Sequence, residues 1–455
     1  MLPFEYLVWA AIAIVIAAMI CAYDGTRDVF HPLMFLGPML GFIYGWMPLK
    51  LNTTHGLEGF FHPDQLSFVQ TMNVLGILAL VMGCLSCGTR VLPSLPEPPL
   101  SASLNRRLLV GGTLLGLVGL AAWSFSIIEV GGFSEAFGKP YSGGWDDSGY
   151  VRDAALLMFP AFLMILYAGI RSGLRPIHLL LIAPFLLPWM VQAFFTARRG
   201  PTFMISVLVG MSWYLYRCRR PAIITMVLGG VAIGYFILLL VVNRQSIYLG
   251  SDFSFTTDVS GMVEKPDTGN EFIYGTGSLL SAEQRGTFFW GRRYAAQLMV
   301  RPIPRAVWPN KYADFGVPEL EHNAGTGEGF ADALGWNGAD GSAPGLIADL
   351  WLEFRWLSLP VMWLIGRFYG TVWHKMRSQG GVWKAQYVII SALSIYLVMQ
   401  TIEAVLFRVI ELSVPIWLFW GFARGSRARW ELWPVPPEEF AEAEYFEPEV
   451  VECLK

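Results

Sequence analysis

Stretches of about twenty residues with almost no charge recur along this chain, and that is the length at which a helix crosses a bilayer's hydrocarbon core. They fall near 4–22, 30–49, 67–88, 108–128, 151–170, 178–196, 201–216, 222–242, 356–373, 384–404 and 406–423. About eleven such stretches predict an all-α polytopic membrane protein. The run 201–216 is the shortest. The last two are separated only by "AVLFRVIELSVP", where Arg408 and Glu411 interrupt an apolar sequence. The first stretch reads as a membrane helix and not as a cleavable signal, because Glu5 stands where a basic leader belongs and no small-x-small cleavage site follows.

Lys and Arg set the orientation, since they collect in short cytoplasmic loops. Arg90, Arg106 and Arg107 follow the third stretch, and Arg171 and Arg175 the fifth. Arg217, Arg219 and Arg220 follow the seventh, Lys375, Arg377 and Lys384 the ninth, and Arg424, Arg427 and Arg429 the last. All these loops lie on one side, which predicts an N-terminus outside and a C-terminus in the cytoplasm. The chain then divides into an N-terminal bundle of about eight spans (1–243), a large extracytoplasmic loop (244–342), C-terminal transmembrane helices (343–424) and an acidic cytoplasmic tail (425–455). The loop holds no span-length apolar run, yet Phe288, Phe289, Trp290, Tyr294, Trp308, Tyr312 and Trp336 give it enough to bury, so it is expected to be an ordered subdomain.

Composition sharpens this. Only 15% of the 455 residues are charged, against about 25% in soluble proteins, and mean hydropathy is +0.47. A net charge of −3, with no basic arm, phosphate loop or zinc-finger spacing, argues against nucleic acid as a partner. Five cysteines are too few for a disulfide framework. Cys84 and Cys87, inside an apolar run, read better as small packing residues than as a redox or metal pair.

Against that background "GRRYAAQLMVRPIPRAVWPNK" (291–311) carries Arg292, Arg293, Arg301, Arg305 and Lys311 and no carboxylate. A short helix over "RRYAAQLMV" places Arg293, Gln297 and Arg301 along one side, with Leu298 and Met299 on the other. Pro302 and Pro304 stop it, and the chain is expected to continue extended past Arg305 and Trp308. Such a bend can converge guanidinium groups on an anion such as phosphate. Pairing with the loop's own carboxylates or with lipid headgroups is the alternative. Arg198 and Arg199 lie in the tight turn "TARRGPTF" on the same, wrong side for the positive-inside rule, either as a second anion-binding pair or as partners of loop carboxylates.

His322 is the one histidine of the large loop, a base or a hydrogen-bonded structural residue. Further on, Ser342 as N-cap and Pro344 in the first turn open a helix. On it Asp349 and Glu353 share one face, as bases or as partners for the arginines, with Leu346, Leu350 and Phe354 beside them. Gln400, Glu403, Arg408 and Glu411 form another polar cluster, best read as structural ion pairing.

"TARRGPTF", then "RPIPRAVWPNK" within a large outer loop, then "GSAPGLIADLWLEFRWLSLPVMWLIGRFYG" before a late span, with "DVFHPLMFL" introducing the second, resemble the Wzy-type oligosaccharide repeat-unit polymerases that make bacterial O-antigen, capsule and exopolysaccharide. The sequence departs from that pattern at Trp356, where a glycine commonly follows the aromatic, and at Arg355 next to it. The resemblance implies a GT-C-like architecture in the bacterial inner (plasma) membrane, with a site at the periplasmic face. It implies a glycosyltransferase whose lipid-linked oligosaccharide donor and acceptor are carried on undecaprenyl pyrophosphate, with membrane lipid, a chain-length regulator and a flippase as partners. The glycan would pass to an incoming hydroxyl through an oxocarbenium-like state, inverting the anomeric centre. Arg198, Arg199, Arg292, Arg293, Arg301, Arg305 and Lys311 would hold the pyrophosphate, and His322, Asp349 or Glu353 would accept the proton. The loop has no D-x-D pair and no His/Asp ligand cluster, so the expected chemistry uses neither metal nor cofactor. Two other readings compete. A glycan (O-antigen) ligase uses the same donor with a different acceptor. A non-enzymatic lipid-linked oligosaccharide transporter would carry its charges at the bilayer midplane rather than at one border.

Overall fold

The computed structural model describes residues 2–57, 59–87, 100–140, 149–252, 254–258, 271–317 and 343–424. The protein is all-helical, with no strand among the described residues. Among the described residues, seven helices are long and apolar enough to cross a membrane: Phe4–Thr26, Pro63–Leu85, Ala102–Glu129, Val151–Arg171, Pro176–Phe195, Ile223–Val242 and Val382–Met399. The other four expected stretches are helical as well. Three are single helices, Arg199–Tyr216, Ser358–Gln379 and Ile402–Arg424, and one runs through Leu33–Gly41, a π-turn at Phe42–Trp46 and Met47–Thr53.

Helix starts follow local chemistry. Pro63 and Pro176 occupy the first turn, where a missing N–H costs nothing. The Ser101 hydroxyl accepts from the Leu104 N–H at 3.2 Å to open Ala102–Glu129.

The order of burial defines the layers. Val382–Met399 is 83% buried and forms the centre, whereas Ile223–Val242 is 6% buried and stands at the periphery. Pro63–Leu85 and Ser358–Gln379 cross at near backbone contact, because a Cβ on Gly83 would lie 2.1 Å from the Trp363 carbonyl oxygen and one on Gly366 equally close to that of Leu80. Cys84, fully buried, packs at this crossing, and small residues are what such an approach requires.

The two ends of the bundle differ. At one, buried Asp28 accepts from Arg377 at 2.8 Å and from the Trp373 indole at 3.1 Å, with Arg220 at 3.4 Å. These arginines belong to the loops predicted to be cytoplasmic. At the other end lies the described part of the large loop. Its helix Glu271–Arg285 buries Phe272, Ile273, Leu279 and Leu280 in a core shared with Phe4, Val8, Leu66 and Trp351, so this layer is built onto the bundle. A smaller core of Ala296, Val300, Tyr312 and Val317, flanked by Phe289, Trp308 and Phe315, holds the rest.

Candidate functional site

The cationic stretch folds differently from its expected shape. Arg292–Ala295 is one α-turn, and Ala296–Val300 is a π-turn closed by the Arg301 N–H on the Ala296 carbonyl at 2.9 Å. Pro302 and Pro304 end the helix, but the chain then turns instead of extending: Val307 and Trp308 both donate their N–H to Pro304. The amphipathic sides are also exchanged with respect to solvent. Leu298 and Met299 are exposed and Arg293 is fully buried.

Arg293 is the centre of a dry ionic knot. Its guanidinium reaches Asp349 Oδ1 and Glu353 Oε1, each at 2.5 Å, and Glu403 Oε1 at 3.3 Å, beneath the Phe289 ring. Asp349 Oδ2 accepts from the Tyr294 hydroxyl at 2.7 Å and the Ile402 N–H at 2.9 Å, and Glu353 Oε2 from the Gly291 N–H at 2.6 Å. Asp349 and Glu353 are thus brought together on one helix, as their spacing implies, but as ion-pair partners of Arg293 with no solvent exposure. Three carboxylates around one guanidinium is a heavy load of charge out of water. Burial pushes the Glu353 carboxyl above its ordinary value, against the pull of Arg293 and the Gly291 N–H.

The helix bearing them, Gly345–Phe354, starts later than expected, with Pro344 as N-cap, while Ser342 lies outside the described residues. It is buried on every side through Glu353 and ends at Arg355. Arg355 takes φ +50°, a conformation that favours glycine, and its guanidinium meets Glu283 through two hydrogen bonds of 3.1 and 3.2 Å.

The remaining cations separate by environment. Lys311 is buried, and its ammonium donates to the carbonyls of Val300, Arg301 and Ile303, closing the end of the π-turn. Arg301 is partly exposed, pairs with Asp153 at 2.5 Å and lies over Phe407 at 4.4 Å. Glu411 is within electrostatic reach of Arg301, Asp153 and Arg408. Arg292 and Arg305 are exposed. Arg198, in the turn, faces Tyr396 and Arg152, and Arg408 lies 4.7 Å over the same Tyr396 ring.

Arg199 opens the next helix and forms an ion pair with buried Glu271 of the large loop. The two line a narrow cleft with Gly200, Ala343, Tyr396 and Gln400. Gly200 is needed there, because a methyl group at that position would sit 2.2 Å from the Tyr396 hydroxyl. Arg301 does not line this cleft. His322 and Trp336 lie outside the described residues.

Sequence reasoning passed over Asp153 and Glu271. Asp153, a carboxylate at the head of an apolar span, carries the usual signal of an ionisable group placed for a purpose. Glu271 has no local pattern to mark it.

No known protein family matches this chain, and no curated protein and no solved structure is detectably similar to it.

Proposed function

We propose that this protein is a membrane glycosyltransferase that polymerises polyprenyl-pyrophosphate-linked oligosaccharide repeat units at the outer face of a bacterial inner membrane. The motifs set out above suggest it, and one observation carries it furthest. At the end of the bundle that bears the large loop, Arg198 and Arg408 meet at Tyr396, and Arg408 shares Glu411 with the Arg301–Asp153 pair. Cations so placed meet a lipid-borne anion at the membrane border.

On this reading the surface arginines Arg198, Arg199, Arg292, Arg301 and Arg305 attend the pyrophosphate, and Arg293 and Lys311 shape the wall behind them. The lipid tail lies among the helices and the glycan on the outer layer. Negative charge that develops on the leaving pyrophosphate as the anomeric C–O bond breaks is stabilised by these fixed guanidinium groups.

The test is purified protein in lipid nanodiscs with lipid-linked repeat units as the sole substrate. A ladder of lengthening products is expected, lost in Arg301→Ala and Arg199→Ala protein that still inserts in the membrane. Transfer only to a different added acceptor would make the protein a ligase, and no transfer with either acceptor would remove the enzymatic reading.

A further inference from the structure

The Arg199–Glu271 pair raises a question that the pyrophosphate reading leaves open: which group accepts the proton of the attacking hydroxyl. Asp349 and Glu353 have no solvent exposure and every carboxylate oxygen is engaged by Arg293, Tyr294, Gly291 or Ile402. Glu403 is turned onto the same guanidinium. Asp153 is held by Arg301 and does not line the cleft. Glu271 is different. It is buried, yet it lines the cleft, where it is ion-paired with Arg199, itself partly exposed, and lies within electrostatic reach of the Tyr44 hydroxyl.

We propose, resting on the function just given, that Glu271 is the catalytic base and that Arg199 holds it in reserve until a donor arrives. In the resting protein Arg199 neutralises Glu271. When a donor pyrophosphate enters, its denser negative charge draws the Arg199 guanidinium, which then stabilises the leaving group. Glu271 is left as a carboxylate facing the cleft. The acceptor hydroxyl oxygen forms the new bond to the anomeric carbon, and its proton passes to Glu271. The old anomeric C–O bond breaks and its electron pair departs on the pyrophosphate. Tyr396 and Gln400 border the space where the hydroxyl is oriented. The exchange makes the base competent only when the donor is bound, which limits wasteful attack at other times.

The experiment compares wild-type, Glu271→Gln and Glu271→Asp proteins in the nanodisc assay, measuring kcat and donor KM across pH. Glu271→Gln is expected to lower kcat by about 100-fold or more, the usual contribution of a general base, with donor KM changed little. The acid limb of the wild-type pH–rate profile should vanish in Glu271→Gln and return, displaced, in Glu271→Asp. A Gln variant that keeps kcat within about threefold and retains the acid limb overturns the assignment while leaving the polymerase reading intact. Should the Gln variant fail to insert, an Asp variant with wild-type kcat and an unmoved acid limb overturns it equally. A wild-type protein that makes no product overturns the polymerase reading and this assignment with it.

Discussion

The Arg293 guanidinium lies 2.5 Å from Asp349 Oδ1 at a point where neither side chain touches solvent. This joins the large loop to the helix that follows it. Since Glu353 and Glu403 share the same guanidinium, one residue ties the outer layer to two helices of the C-terminal region.

Arg293→Ala leaves three carboxylates facing one another in a dry interior. Breaking a buried ionic group by removing one partner costs about 3–5 kcal/mol. Thermal unfolding in detergent should fall steeply or the protein should fail to accumulate. Arg293→Lys restores the charge but not the fork that reaches Asp349 and Glu353 together, and should recover only part of the loss. Wild-type unfolding in the Ala variant would show that the knot is not what holds the layer down.

The Glu353 carboxyl, raised by burial despite Arg293, gives the knot a pH dependence of known sign. The folded protein binds this proton more tightly than the unfolded chain, so its contribution is complete below the ordinary carboxylate value and is lost as pH rises through the raised folded value. The unfolding midpoint should therefore fall from mildly acid toward neutral pH. In Glu353→Gln, which keeps the shape without the titration, that slope should be shallower. Equal slopes in both proteins would remove Glu353 as its source.

Seven of the expected stretches are helices long and apolar enough to cross a membrane, legible because hydrocarbon thickness translates into a countable run of apolar residues. The pairing of Asp349 with Glu353 was legible too, since a spacing of four puts both on one helical face. Their partner was not, because Arg293 lies far away in sequence and nothing local marks it as the buried cation among five. The π-turn at Ala296–Val300 added to the difficulty. It widens the turn between Arg293 and Arg301, and the two end in separate ion pairs, one dry and one at the surface.

The crossing of Pro63–Leu85 with Ser358–Gln379 depends on glycine. Gly83→Ala drives a methyl against the Trp363 carbonyl and the Arg367 N–H, both backbone groups that cannot rotate away. The helices must separate, at a cost of about 1–3 kcal/mol or more. Gly234→Ala is the control, because nothing lies within 4 Å of its position. A matched pair of unfolding curves in detergent distinguishes the two. Equal midpoints would mean that the helices do not pack this closely.

Lys311 donates to three carbonyls at the end of the π-turn, so Lys311→Met leaves those of Arg301 and Ile303 without this donor, while that of Val300 keeps the Ile303 N–H. Each such group costs about 1–3 kcal/mol. The variant should be cleaved faster by protease within 292–317, and its folded fraction should keep the wild-type donor KM. A raised KM with unchanged cleavage would instead place Lys311 on the anion.

Orientation can be read directly. In a background with the native cysteines replaced, a cysteine at Arg198 or Arg305 should react with a membrane-impermeant maleimide in intact cells once the outer membrane is opened. A cysteine at Arg219 should react only after the inner membrane is permeabilised. Both sets of positions are exposed, so access depends on the bilayer and not on burial. The expectation follows from the collection of Lys and Arg in the loops at the Asp28 end of the bundle. The reverse labelling pattern would put the Arg199–Glu271 cleft in the cytoplasm, and the outer-face polymerase reading would fall with it.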